Sequence, residues 1–292
     1  MSEQVRRFPI RRRKRTRSRL RPRYRGPSFN RIIPNLMTMA GLCCGLTSMR
    51  FALDGRFEAA AIAITVAGVI DGLDGRLARM LKGTSRFGAE FDSLSDFACF
   101  GVAPGLVLYL WSLQRAGGIG YAASVLFAVC MALRLARFNA MADAPALPAY
   151  AYNFFTGVPA PAGAGLALFP LFLGLEANAL GWEGLAAIAR HPLLCAPVLV
   201  GTAALLVSSL PVWSFKNFKV PAEYVLPLLL GTGLLVALLL AEPWAALAIA
   251  GIIYLAMLPL SRRSFRRLRT AAEALRESSE PAAQENHGGT SA

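Results

Sequence analysis

Residues 69–101 read VIDGLDGRLARMLKGTSRFGAEFDSLSDFACFG, a stretch that sets four aspartates, Asp71, Asp74, Asp92 and Asp96, between apolar flanks. A carboxylate at the centre of a membrane helix costs roughly 2.5–3.5 kcal/mol even on a lenient insertion scale, so acids kept there face an interior cavity and serve a function. On helical spacing Asp71, Asp74, Gly75, Ala78 and Arg79 fall at i, i+3, i+4, i+7 and i+8, a single face. Gly88, Asp92 and Asp96 repeat the device at i, i+4 and i+8 on the next helix. A tight turn around Lys82 to Phe87 joins the two, so both carboxylate pairs converge near one membrane boundary.

The flanks extend this reading to the whole chain. Of 292 residues, 55% are hydrophobic and 16% charged, against roughly 45–50% and about 25% in soluble domains; a soluble globular domain is excluded. A helix crosses a ~30 Å hydrocarbon core in about 20 apolar residues, and eight stretches qualify: 32–53, 58–80, 92–112, 119–139, 156–176, 193–210, 222–240 and 243–260. Pro159, Pro161, Pro170 and Pro197 interrupt the fifth and sixth, which membrane helices tolerate only where neighbours re-satisfy the backbone. Cationic side chains gather in alternate connectors: Arg79, Lys82 and Arg86; Arg134 and Arg137; Lys216 and Lys219; then Arg262, Arg263, Arg266, Arg267 and Arg269. The opposite connectors hold little more than Arg56, Arg115 and Arg190. The positive-inside rule then puts both termini and the aspartates in the cytoplasm, which requires an even number of spans. The expected fold is therefore an all-α polytopic membrane protein of about eight transmembrane helices. Gly41 and Gly45, and GAGLALFPLFLG in the fifth span, mark close helix packing.

The net charge of +14 belongs to one end. Thirteen of the 31 Lys and Arg residues lie in residues 1–31 with one acid, Glu3, leaving 18 basic and 16 acidic residues in the other 261. Residues 1–28 are expected to form a disordered cytoplasmic tail that grips anionic lipid, each cation near such a surface contributing ~1 kcal/mol; nucleic acid is not an expected partner. Residues 29–262 form the membrane-embedded catalytic domain and 263–292 a cytoplasmic C-terminal tail with a short helix near 265–277. The five cysteines sit in apolar runs without C-x-x-C spacing and read as small core residues; two histidines, His191 and His287, are too few for a zinc site.

Four converging carboxylates cannot all stay ionised in a poor dielectric unless some are protonated or a cation sits among them. Hard oxygen donors without Cys or His suit Mg²⁺ or Mn²⁺. Two ions so held are a standard device for in-line displacement at phosphorus. Arg79 adds a fork suited to phosphate oxygens, and Gly75, Ala78 and Gly88 leave room on the stripe. On these residues alone, proton- or ion-coupled transport is a competing reading. An intramembrane prenyltransferase with paired aspartates is another.

Written out, D-x2-D-G-x2-A-R-x8-G-x3-D-x3-D is met at every fixed position over 26 residues, and it resembles the signature of the CDP-alcohol phosphatidyltransferases. IPNLMTMAGLCCG at 33–45, RLARFNAM at 134–141, FFTGVPAPAGAG at 154–165 and LPVWSFKNFK at 210–219 resemble the branch that makes phosphatidylserine in bacteria. The resemblance implies the family's fold and a membrane-embedded homodimer in the bacterial inner membrane. It also implies transfer of the phosphatidyl group of CDP-diacylglycerol to L-serine with release of CMP. By the same resemblance Asp71, Asp74, Asp92 and Asp96 ligate two divalent cations and Asp96 is the general base. Gly75, Arg79 and Ser85 line the CDP and diphosphate site, and Asn35 and Thr38 close over the nucleotide. A zwitterionic acceptor needs a cation for its carboxylate; Arg134 and Arg137 are the preferred pair, with Asn139 beside them, while Lys216 and Lys219 also lie on that side. Glycerol 3-phosphate, inositol phosphate and choline remain alternative acceptors on the signature alone.

Overall fold

The computed structural model describes residues 29–81, 85–142, 154–213, 223 and 225–287. The Arg-rich tail, Lys82, Lys216 and Lys219 lie outside the described residues, as does the side chain of Ala78.

Helix α1 (Phe29–Leu53) packs along the length of α2 (Phe57–Met80). The reversal between them is a Schellman motif: the Arg56 N–H donates to Phe51 O (2.8 Å) and the Gly55 N–H to Ala52 O (3.1 Å), with Gly55 at φ +74°. Only glycine takes that left-handed position without a Cβ penalty. The same motif, with Gly181 at φ +72°, turns the chain after α7.

The third segment begins at Ser85, whose hydroxyl accepts from the Gly88 N–H (3.0 Å) and caps α3 (Arg86–Asp96). The sequence placed this start at 92, because Arg86 and Glu90 depress hydropathy in a turn that is nonetheless helical. A π-helical turn, Phe97–Val102, carries α3 into α4 (Ala103–Trp111) and buries Cys99, Phe100 and Gly101. It crosses α1 closely: a Cβ on Gly45 would stand 3.1 Å from Cys99 Cα, so Gly45 is required where the spacing predicted a tight approach. Gly163 against Leu206 and Gly174 against Trp111 are equally confined, whereas Gly165 faces open space.

A 3₁₀ turn, Leu113–Ala116, leads into α5 (Gly117–Ala142). The fifth span is a bent pair, α6 (Ala160–Ala167) and α7 (Phe169–Ala179), meeting at 48°. Pro170 has no N–H to give to Leu166 O, which accounts for the break. The sixth is likewise a pair at 48°, α8 (Glu183–Ala189) and α9 (Pro192–Val207), the first of which was not expected. Two short antiparallel strands, β1 (Phe154–Thr156) and β2 (Pro211–Trp213), tie the entry of α6 to the exit of α9, with Phe155 opposite Val212. They are the one departure from an all-α fold among the described residues. Helix α10 (Val225–Ala241) packs on α11 (Pro243–His287), a continuous helix where a span to 260 and a separate short helix were expected.

Helices therefore occupy all eight predicted stretches, but the count of eight spans is not established. Four helices are long and apolar enough to cross a membrane, and six segments are if each bent pair is one span. Helix α10, at 17 residues, is short for a crossing, and α2 carries Asp71, Asp74, Arg76 and Arg79 within its last three turns. Phe100, Phe127, Leu108 and Met131 are fully buried in the interior. Leu226, Leu234 and Leu240 on α10 stay exposed, the surface a lipid solvent would cover. Of the cysteines only Cys99 and Cys195 are buried; Cys43 is exposed, and Cys44 and Cys130 are half-buried, because apolar runs in a membrane chain face lipid as readily as the core.

Candidate active site

The reversal at Ser85 brings the last turns of α2 against the first turns of α3, with α1 packed across both. Carboxylate oxygens of Asp71, Asp74 and Asp92 come together, one from each within 4.8 Å of the others. Oxygens shared by one Mg²⁺ or Mn²⁺ lie up to roughly 4–5 Å apart, so this donor set fits a hard divalent cation with little movement. Asp96 stands outside that group of three and shares a small void with Asp71 and Asp74. The two helices thus present three converging ligands and one adjoining carboxyl.

Among the described residues no Lys or Arg closes an ion pair on these acids. Among the described residues the single ion pair is Arg50 with Asp54, at 3.8 Å, on the surface of α1. Asp74 is only 4% exposed. Its Oδ2 accepts from Thr38 Oγ1 at 2.8 Å, which fixes the carboxylate from the neighbouring helix. Ser95 donates to Thr38 O (3.4 Å) and the Cys99 thiol to Gly41 O (3.4 Å), so α3 and the π turn are fastened to α1 directly beneath the acids.

Two spaces adjoin the cluster. An open cleft of 220 Å³ is lined by Asn35, Thr38, Asp74, Gly75, Arg79, Ser85, Gly88 and Asp92, with Pro34 and Ala89. Every described residue that the family resemblance assigned to the nucleotide is on its wall. Gly88 is glycine for a steric reason: a Cβ there would stand 2.8 Å from Asn35 Oδ1 and 3.1 Å from Ser85 Oγ. The α3 N-terminus opens onto the same wall, and N–H groups there attract phosphate oxygens. A smaller void of 10 Å³ lies behind it, with Asp71, Asp74, Asp96, Ser95 and Cys99 around it. That is about the room of one water-sized sphere.

The three residues assigned to the acceptor separate. Arg134 donates through Nε to Val158 O (2.6 Å), which holds its guanidinium within electrostatic reach of Asp96 and Asp71 without an ion pair closing. Arg137 points elsewhere, donating to Val207 O and Ser209 Oγ (both 3.3 Å) at the end of α9. Asn139 bonds Ser93 through Nδ2 (3.0 Å), linking α5 to α3. Sequence spacing paired Arg134 and Arg137 at i, i+3, but side chains one turn apart can still anchor to different helices. Sequence reasoning missed Tyr254 of α11, also within electrostatic reach of Arg134; a single tyrosine in the run GIIYLAML carries no spacing signal.

Comparison with known proteins agrees with this geometry. The family model for CDP-alcohol phosphatidyltransferase matches residues 31–195, and that for CDP-alcohol phosphatidyltransferase 2 matches residues 223–259. A CDP-diacylglycerol--serine O-phosphatidyltransferase from Mycobacterium leprae is 39% identical over 254 residues, covering 87% of this chain and 82% of the relative. Proteins of the same name from Mycobacterium bovis (38%, covering 84% and 83%) and Helicobacter pylori (34%, covering 77% and 88%) are also similar.

Proposed function

The chain belongs to the CDP-alcohol phosphatidyltransferase family, and from that premise we propose that it transfers the phosphatidyl group of CDP-diacylglycerol to L-serine, forming phosphatidylserine and CMP. The observation that carries this is the juxtaposition of Asp71, Asp74, Asp92 and Asp96 with a cleft walled by Asn35, Gly75, Arg79, Ser85 and Gly88. The similar bacterial proteins named for serine support the choice of acceptor.

In this reading the cleft takes the CDP group, with Arg79 and the α3 N-terminus on its diphosphate and the Ser85 hydroxyl, already accepting from Gly88, free to donate to it. Asp71, Asp74 and Asp92, with Asp96 adjoining, would hold two Mg²⁺ or Mn²⁺ ions, which would offset the negative charge that develops on the diphosphate oxygens. Asp96 accepts the proton of the serine hydroxyl, whose oxygen forms a bond to the phosphatidyl phosphorus. The bond from that phosphorus to the bridging oxygen breaks, and CMP departs with that oxygen. Serine attacks poorly at neutral pH, and a base within hydrogen-bond reach is worth ~10²–10⁴ in rate. Arg134 supplies the counter-charge for the serine carboxylate, held at the right depth by Val158 O.

We place the protein in the bacterial inner membrane as eight spans, with residues 29–262 as the catalytic unit, both termini and the site cytoplasmic, and two copies forming a homodimer. The basic connectors next to the site support that orientation. The Arg-rich tail 1–28 is assigned to anionic lipid, and 263–292 to the cytoplasm.

The test is CMP release from CDP-diacylglycerol by purified protein with serine, glycerol 3-phosphate, inositol phosphate or choline as acceptor. Release that depends on serine is expected, and Arg134→Ala should raise the serine requirement about tenfold or more without changing the KM for CDP-diacylglycerol. Release driven by another acceptor would keep the reaction and replace serine; none with any acceptor would return the aspartates to a transport role.

A further inference from the structure

Helix α11 lies outside the signature, yet its Tyr254 is within electrostatic reach of Arg134. An apolar groove of 340 Å³ lies between α2, α6, α7 and α11, with Gly68, Gly165, Gly251 and Tyr254 in its lining. The Tyr254 hydroxyl is buried and, among the described residues, has no hydrogen-bond partner. A buried hydroxyl without a partner is costly and calls for an explanation. A phenol donates as well as accepts, and the nearby guanidinium of Arg134 does not hydrogen-bond to it, so a ligand acceptor that takes the Tyr254 O–H would satisfy it. Arg134 has the complementary deficit. Its Nε is taken by Val158 O, and no carboxylate closes on it. One ligand group answers both needs: a carboxylate takes hydrogen bonds from a phenol and a guanidinium together. A lipid ester carbonyl would satisfy the hydroxyl but would not close an ion pair with the guanidinium.

We infer that Tyr254 is a specificity residue of the acceptor subsite, its hydroxyl and the Arg134 guanidinium together binding the carboxylate of the amino-acid acceptor. The inference rests on the acceptor assignment made above and extends it to α11.

The experiment measures CMP release by the full-length protein and Tyr254→Phe, varying serine at saturating CDP-diacylglycerol and the reverse. The variant keeps the ring in the groove, and its thermal unfolding is followed in the same detergent. The serine KM should rise about tenfold, the size of one hydrogen bond to a charged group, with the KM for CDP-diacylglycerol unchanged. The preference for serine over ethanolamine, which lacks the carboxylate, should shrink by a similar factor. A raised KM for CDP-diacylglycerol with serine unaffected would overturn the inference in favour of a lipid contact, and no change in either would overturn it outright. Wild-type release that ignores serine would instead defeat the acceptor assignment itself, so the two failures are distinguishable.

Discussion

The two ends of the α3–α4 segment both bury polar groups among apolar helices, and they do so in opposite ways. At the far end Ser112 donates to Arg190 O (2.6 Å), Arg190 Nε donates to Trp111 O (2.9 Å), the guanidinium lies over the Trp111 ring (5.9 Å), and the Cys195 thiol donates to Ala189 O (3.3 Å). That cluster satisfies itself. At the near end Asp71, Asp74 and Asp92 converge with Asp96 adjoining, and among the described residues no Lys or Arg closes an ion pair on them. The first arrangement holds α4, α8 and α9 together; the second leaves its acids without an ion pair among the described residues. Burial of polar groups does not separate structure from function here, whereas completeness of partnering does.

The largest effect that would break this contrast is at the near end. Asp92→Asn should lower CMP release by ~10³-fold or more, as loss of a transition-state charge partner does, yet leave the metal-free protein as stable as the wild type or more so, since it relieves repulsion among the acids. A variant that is both inactive and strongly destabilised would mean that the acids are structural. Metal should report the same asymmetry without any turnover. Adding Mn²⁺ at about 100 times its Kd should stabilise the wild type by ~2.7 kcal/mol, read as a raised Tm, and Asp74→Asn should lose most of that gain. At the far end Ser112→Ala should cost about 1–3 kcal/mol, because the Arg190 carbonyl loses its buried donor; CMP release below the unfolding temperature should stay within about twofold. The smallest effect is expected at Arg137. Bound to the end of α9, it should change the serine KM by less than about threefold when replaced by alanine, where Arg134→Ala changes it strongly.

Much of the near end was legible because charge inside apolar helices is costly and therefore informative. Asp71, Asp74, Asp92 and Asp96 announce themselves by residue type, and helical spacing places them on facing stripes. Arg79 and Gly88 followed from a pattern of fixed spacing, Asn35 and Ser85 from the family resemblance, and all four line the cleft. The exclusion of Asp96 from the three converging ligands was not legible, since it depends on the angle between α2 and α3 rather than on spacing along either. Nor was the π turn at Phe97–Val102, where one extra residue per turn leaves hydropathy unchanged. The far end was opaque for a different reason. Ser112 and Arg190 are 78 residues apart and bond mostly through backbone carbonyls, which no side-chain pattern encodes. Tyr254 was hidden by its surroundings: in an apolar helix a tyrosine reads as a ring, and only the packed structure reveals that its hydroxyl lacks a partner.

The most direct test is to follow CMP and phosphatidylserine together from CDP-diacylglycerol and serine, with the wild type and Asp96→Asn, each with Mn²⁺ and with a chelator. The account predicts equimolar CMP and phosphatidylserine from the wild type with metal, and loss of both products on chelation or in the Asp96→Asn protein. Products that persist without metal, or an Asp96→Asn protein as active as the wild type, would contradict it.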